Sequence, residues 1–299
     1  MPTPINLSHS DINLFLRCRR SFLWSYTMNY NAPDKLTGPL ALGTRVHAAL
    51  ERMYLGEDAI EAHDALAYAD VETLESGFGP AWELDEIYKD IVVGRNCVAA
   101  YQDWQAETGA DQGLTVLGVE QQIEAPILDG RVLLRAKLDL LMQRDDGGII
   151  GIDFKTTGRD LGRTQADLGR SYQLQLYDLV LRLSRPDSWI SAAEYRVIRK
   201  VAKRSRGVPQ IAQFGVPGLL KRRATTQANI EGICLDIIDF IDSIGTKPMD
   251  QIAYPSPAES CSWCSWKDPC LIASEDGKAA DEMLVSIYGA DRHARYEET

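Results

Sequence analysis

Residues 148–157 read GIIGIDFKTT, and the rest of the chain becomes legible from them. A short apolar run, Ile149 to Phe154, opened by glycine and closed by a lysine, has the composition of a buried strand. Side chains alternate along a strand, so Ile150, Ile152 and Phe154 share one side, and Gly151, Asp153 and Lys155 the other. A carboxylate and an ammonium therefore leave the same face two residues apart. Desolvating both on a buried strand is expensive. The pair is either an ordinary strand-end ion pair or one part of a metal site at a sheet edge, and this stretch alone leaves both open.

Upstream, Asp145-Asp146-Gly147-Gly148 signals a tight turn into Ile149, and Leu128-Asp129-Gly130 signals another. Residues 114–123, 131–142 and 149–155 are thus expected to form three consecutive antiparallel strands. Asp139 lies inside the second of them, in LRAKLDLLM. Such an aspartate needs a partner. Hairpin pairing would bring it near Asp153, and two buried carboxylates at close range repel unless a cation lies between them.

The chain has 299 residues, 45% of them hydrophobic and 25% charged, enough for one large domain or two small ones with an ample core. No apolar run approaches the roughly 18 residues of a membrane span. MPTPINLSHSD carries no basic stretch followed by an apolar core, so the expected location is the cytoplasm. Structural disulfides are rare there, and six cysteines point to metal chemistry, redox chemistry or plain burial. A net charge of −11 argues against indiscriminate nucleic-acid binding. It does not exclude a local site, because charges beyond a Debye length of about 8 Å are largely screened. Arg196, Arg199, Lys200, Lys203, Arg204 and Arg206 form one basic segment, Lys221, Arg222 and Arg223 another, and Arg17, Arg19 and Arg20 surround Cys18.

Residues 8–28 read as one helix capped at Ser10, with Cys18 in its middle. Pro33–Pro39 reads as a connection. Residues 43–54 form a helix with His47 and Glu51 a turn apart on one side. Residues 57–76 and 81–107 are further helices, and 157–170 is a loop. Helix 171–184 follows, with Gln173 and Tyr177 on one face, then strand 190–198 and helix 225–244. No Gly-x4-Gly-Lys-Ser/Thr phosphate loop is present, which argues against a helicase motor. Near the end, SCSWCSWKDPC holds Cys261, Cys264 and Cys270. Their spacing suits one metal or cluster, with Cys18 the best fourth ligand. Cys97 and Cys234, in apolar helical surroundings, read as core. Ligand count leaves zinc and an iron–sulfur cluster both open.

Taken together, these stretches resemble the RecB-like branch of the PD-(D/E)xK nuclease superfamily, in particular its iron–sulfur members. Those include AddB-type nuclease domains and the CRISPR-associated exonucleases of the fourth Cas family. GTRVHAALE is similar to the family's first motif, RAKLDLL to its Gly-x-x-Asp motif, IDFKTT to Asp/Glu-x-Lys and QLQLY to Gln-x-x-x-Tyr. One early cysteine with Cys-x2-Cys-x5-Cys at the end resembles its 4Fe–4S arrangement. The order of the five carries the resemblance, which covers most of the chain. Ala136 departs from the pattern, standing where the second motif usually has glycine.

The resemblance implies an α/β fold: a restriction-endonuclease-like core with a central mixed β-sheet flanked by helices, its terminal segments joined by the cluster. It implies a metal-dependent DNA exonuclease acting in recombination or repair. His47, Asp139, Asp153 and the Phe154 carbonyl would bind Mg²⁺ or Mn²⁺. Lys155 would be catalytic, Gln173 and Tyr177 would assist, and Glu51 would lie just outside. Cys18, Cys261, Cys264 and Cys270 would hold the 4Fe–4S cluster, and the basic segments would steer phosphates. The expected organisation is an N-terminal helical part (1–40), a helical part with the first motif (41–110), a nuclease core (111–250) and a cysteine-bearing end with an acidic tail (251–299). DNA is the expected partner, with a helicase or a single-strand-annealing recombinase beside it and no membrane. The alternatives are a nuclease-inactive DNA-binding or helicase-accessory subunit and a structure-specific endonuclease.

Overall fold

The computed structural model describes residues 3–32, 35–77, 80–188, 190–203, 208–257 and 259–288. Arg204, Arg206, Pro33 and the acidic tail beyond 288 therefore lie outside the described residues. In chain order the elements begin with β1 (Ile5–Ser8), α1 (His9–Arg17), α2 (Arg19–Phe22) and a π-helical turn (Leu23–Thr27). Then come α3 (Gly38–Tyr54), α4 (Ala59–Ser76), α5 (Ala81–Thr108), β2 (Leu114–Ile127), β3 (Val132–Arg144) and β4 (Ile149–Thr157). They are followed by α6 (Leu161–Leu168), α7 (Gln173–Ser184), β5 (Ile190–Arg199), β6 (Ile211–Gly215) and α8 (Leu219–Ser243). The last are α9 (Met249–Ile252), α10 (Lys267–Ile272) and α11 (Gly277–Ile287). The chain packs as two units, one of Met1–Asp34, Ile127–Leu134 and Ala228–Thr299, the other of Lys35–Pro126 and Arg135–Gln227.

The larger unit is an α/β layer structure around a mixed sheet. Its strands run in the order β2-β3-β4-β5-β6. β3 and β4 pair antiparallel, β4 and β5 parallel, and β5 and β6 antiparallel. The parallel step needs a crossover, which α6 and α7 supply. Ile150, Ile152 and Phe154 pack with Val46, Leu50, Val98 and Tyr101 of α3 and α5 on one face of the sheet. On the other face Ala193, Tyr195 and Val197 pack with Leu174 of α7. Helices on both faces explain why β4 is buried along most of its length.

The smaller unit is built on an aromatic cluster. Phe15 and Phe22 meet edge-on at 5.2 Å, and Phe240 packs edge-on against both at 5.6 and 5.7 Å. β1 pairs with β3, the Ile5 N–H donating to the Arg131 carbonyl at 2.9 Å. Trp266 stacks on Tyr288 at 4.9 Å. Among the described residues no helix is long and apolar enough to cross a membrane.

Several expectations need correction. The helix over 8–28 is interrupted at Cys18, whose backbone is extended (φ −162°, ψ 113°). Its cap is Ser8 rather than Ser10, because β1 runs up to Ser8 and Asp11 reciprocates from the third helical position. Pro39 lies in the first turn of α3 instead of belonging to a loop, since proline fits the first helical turn. Residues 161–168 are helical, with the Asp160 carboxylate accepting from the Gly162 and Arg163 N–H groups at 2.9 and 3.1 Å. β6 was not expected at all, because a five-residue edge strand is too short to show a period.

Candidate active site

The site grows out of the β3–β4 hairpin. The register between the two strands reaches Leu140↔Ile152, the residues next to Asp139 and Asp153. There Asp139 Oδ2 accepts the Phe154 N–H at 2.7 Å, so a side chain takes the place of a ladder carbonyl. Asp153 is fully buried. Burial pushes its carboxyl up to about 6; Lys155 opposes the shift and the neighbouring Asp139 adds to it. Burial likewise pushes Asp139 up to about 6, against Lys155 and the Phe154 N–H, with Glu51 adding to the rise. His47 of α3 brings Nδ1 to 3.6 Å from Asp139 Oδ2. Burial, reinforced by Lys155, lowers its pKa to about 4, which leaves a neutral imidazole with a lone pair at neutral pH.

Lys155 Nζ lies 2.5 Å from Asp153 Oδ2. Burial opposes its charge, but Asp153 and Asp139 together hold its pKa above the ordinary lysine value. From α7, Gln173 Nε2 donates to Asp153 Oδ1 at 2.8 Å and to the Tyr177 hydroxyl at 2.9 Å. The helical spacing of these two residues puts them on one face, and α7 packs that face on the sheet. Burial raises the pKa of Tyr177, so it stays a neutral phenol. Tyr195 is a neighbour that sequence reasoning missed. It pairs with Asp153 in the parallel β4–β5 register and is fully buried. Its strand was legible, but a parallel register leaves no local sequence signal.

Behind β4 lies a buried polar network. Arg196 is fully buried, with Nη2 2.6 Å from Asp111 Oδ1 and Nε 3.0 Å from Glu194 Oε1. Its Nη1 donates to the Tyr54 and Tyr101 hydroxyls at 2.9 and 2.7 Å. Those two rings lie 6.0 and 5.5 Å from the ring of Phe154. Arg196 thus cannot steer phosphates, contrary to the expectation for the basic segment. Arg223 is likewise engaged, donating to both Asp178 oxygens at 3.0 and 2.6 Å, and Lys200 Nζ donates to the Pro39 carbonyl at 3.0 Å.

The model of the PD-(D/E)XK nuclease superfamily matches residues 6–271. The chain belongs to that superfamily. A solved Eubacterium rectale protein described as "Putative exonuclease" is similar to this PD-(D/E)XK chain at 11% identity. The likeness covers 77% of this chain and 80% of that one, with a TM-score of 0.50, and speaks to the fold. A crystal structure named SSO0001 shares 14% identity over 90% of this chain and 86% of its own, with a TM-score of 0.37. No curated protein matches.

In this PD-(D/E)XK chain the oxygen donors suited to a hard cation are Asp139 and Asp153, with the His47 nitrogen beside them. Among the described residues no three His, Cys, Asp or Glu side chains are already grouped to hold a metal ion. What fits a cation is the electrostatics, two close carboxylates resisting ionisation where Lys155 is the compensating charge.

The four cysteines named above lie in the smaller unit around three residues, Arg20, Ser21 and Ser256. Ser21 Oγ lies 3.9 Å from Cys264 Sγ, Arg20 Nη1 donates to Cys270 Sγ at 3.8 Å, and the Cys261 thiol donates to the Ser256 carbonyl at 3.9 Å. Burial raises the pKa of the Cys18 thiol, but hydrogen bonds from Ser21, Ser256 and Arg20 outweigh it and leave it lowered. Cys97 and Cys234 are fully buried, and burial raises both thiols, as for inert core residues.

Proposed function

We propose that this chain is a metal-dependent DNA exonuclease of the RecB-like kind, processing DNA ends in recombination or repair. One observation carries the reading: two carboxylates, the buried Asp153 and the half-buried Asp139, meet at a hairpin with Lys155 on the first of them. In this reading Asp139, Asp153, the Phe154 carbonyl and His47 hold Mg²⁺ or Mn²⁺. When bound, such an ion lowers the pKa of a water and stabilises charge on the phosphate. Lys155, held as an ammonium, orients the attacking water and balances negative charge growing on the phosphate oxygens. Gln173 fixes the Asp153 carboxylate through Oδ1, and Tyr177 fixes Gln173.

The shared Arg20, Ser21 and Ser256 neighbourhood of Cys18, Cys261, Cys264 and Cys270 supports a 4Fe–4S cluster in the smaller unit. The donor set fits, since four thiolates complete such a cluster. We also assign the chain to the cytoplasm, acting with a helicase or a single-strand-annealing recombinase.

The test is release of end label from linear single-stranded and duplex DNA with Mn²⁺ or Mg²⁺, comparing wild type with Asp153→Ala. Metal-dependent release by wild type alone is the expected result. Cutting of closed circular DNA would instead favour a structure-specific endonuclease. No release of any label would leave a DNA-binding accessory subunit as the better reading.

A further inference from the structure

The smaller unit carries a basic and aromatic surface that the catalytic reading does not use. Arg17 ends α1 and Arg19 begins α2, and the extended backbone of Cys18 between them separates their directions. The Arg17 guanidinium lies 5.6 Å from the centre of the Trp263 ring, which is 68% exposed. The Arg19 guanidinium lies 5.7 Å from the centre of the Tyr254 ring, which is 44% exposed. Leu16, beside them on α1, is also exposed. Among the described residues neither arginine pairs with a carboxylate. That is notable in a chain with 43 acidic and 32 basic side chains, where a guanidinium has many acids to choose from.

A cation over an aromatic ring is a favourable contact by itself. It does not explain why two large rings stay in water when the same unit buries Phe15, Phe22 and Trp266. Exposed π-faces alternating with guanidinium groups match a polyanion that offers flat, unpaired faces between its charges. Single-stranded DNA has both, whereas in a duplex the base faces are already stacked on one another. We propose that Arg17, Trp263, Arg19 and Tyr254 form a docking surface for single-stranded DNA. Trp263 and Tyr254 stack on bases, and the two arginines contact the flanking phosphates. The assignment rests on the nuclease reading for its choice of DNA.

The experiment measures fluorescence anisotropy of labelled oligo-dT and of a duplex of equal length. It uses the full chain carrying Asp153→Asn, in EDTA, so that no strand is cut. Trp263→Ala is expected to weaken oligo-dT binding about tenfold, with Trp263→Phe retaining most of it and duplex binding little changed. Arg17→Gln should reduce the slope of log affinity against log salt by about 0.7. Because Arg17 is exposed, that variant carries the test if Trp263→Ala does not fold. Oligo-dT affinity unchanged in both variants would overturn the proposal, as would an equal loss on duplex. The two readings fail separately: wild type that cuts no DNA removes the nuclease, while a Trp263-dependent affinity for oligo-dT keeps the surface.

Discussion

Replacing Arg196 with methionine keeps most of the buried stem and removes only the guanidinium. The loss leaves Asp111 and Glu194 without their cation and takes one donor from each of the Tyr54 and Tyr101 hydroxyls, which keep their bond to each other. Removing one partner of a buried ion pair costs about 3–5 kcal/mol. The lower end applies here, because both acids keep other donors. Asp111 retains the Tyr54 hydroxyl at 2.6 Å and the Gln105 amide, and Glu194 retains the Gln213 amide at 2.9 Å. We expect about 3 kcal/mol, read by urea unfolding at pH 7 with an unchanged slope. Trp104, whose ring centre is 5.6 Å from the guanidinium carbon, is a local fluorescent reporter. Nuclease activity should fall too, since Tyr54 and Tyr101 pack on the Phe154 ring and the Phe154 N–H holds Asp139. In a double-mutant cycle with Asp111→Asn the two losses should not add. A loss below about 1 kcal/mol, or simple additivity, would refute the view that this network clamps β4.

Gly94→Ala should destabilise by about 1–3 kcal/mol despite alanine's better helix propensity, because its Cβ would collide with the buried His63 ring at Nε2. Thermal melts should show His63→Ala restoring much of the loss. His63 is itself buried, and burial, only partly offset by Asp64, lowers its pKa. A base so depressed stabilises above its unfolded pKa and loses that contribution as pH falls below about 6.5, so His63→Leu should flatten the acid side of the stability profile. Gln173→Ala should slow metal-dependent cleavage about 10- to 100-fold by freeing Asp153 Oδ1, and Tyr177→Phe should slow it less, both measured as initial rates of label release. Cys264→Ala should lose bound iron and unfold at lower temperature while Cys234→Ala keeps its iron; full iron content in the Cys264 variant would remove the cluster assignment.

Much of the larger unit was legible because its information is local. β3 and β4 are joined by the Asp145–Gly148 turn, so the hairpin that brings Asp139 towards Asp153 follows from alternation and a turn signal a few residues long. The Gln173 and Tyr177 pairing follows from helical spacing in the same way. What sequence could not provide was the environment of charges. Arg196 stands in a run that reads as a basic surface, yet its counter-ion Asp111 lies 85 positions earlier, and only packing α5 and β2 against β5 brings the two together. Tyr195 comes beside Asp153 through a parallel register spanning the α6–α7 crossover. At the break, Cys18 meets the Ser256 backbone from far along the chain, a neighbour that no local pattern announces. The sequence by itself determined the long strands, the long helices and the residue types able to do the chemistry, while the short elements β1, α6 and β6 escaped it. Tertiary structure alone decided which charges are buried and paired and which stay exposed, because desolvation and ion pairing depend on neighbours distant in the chain.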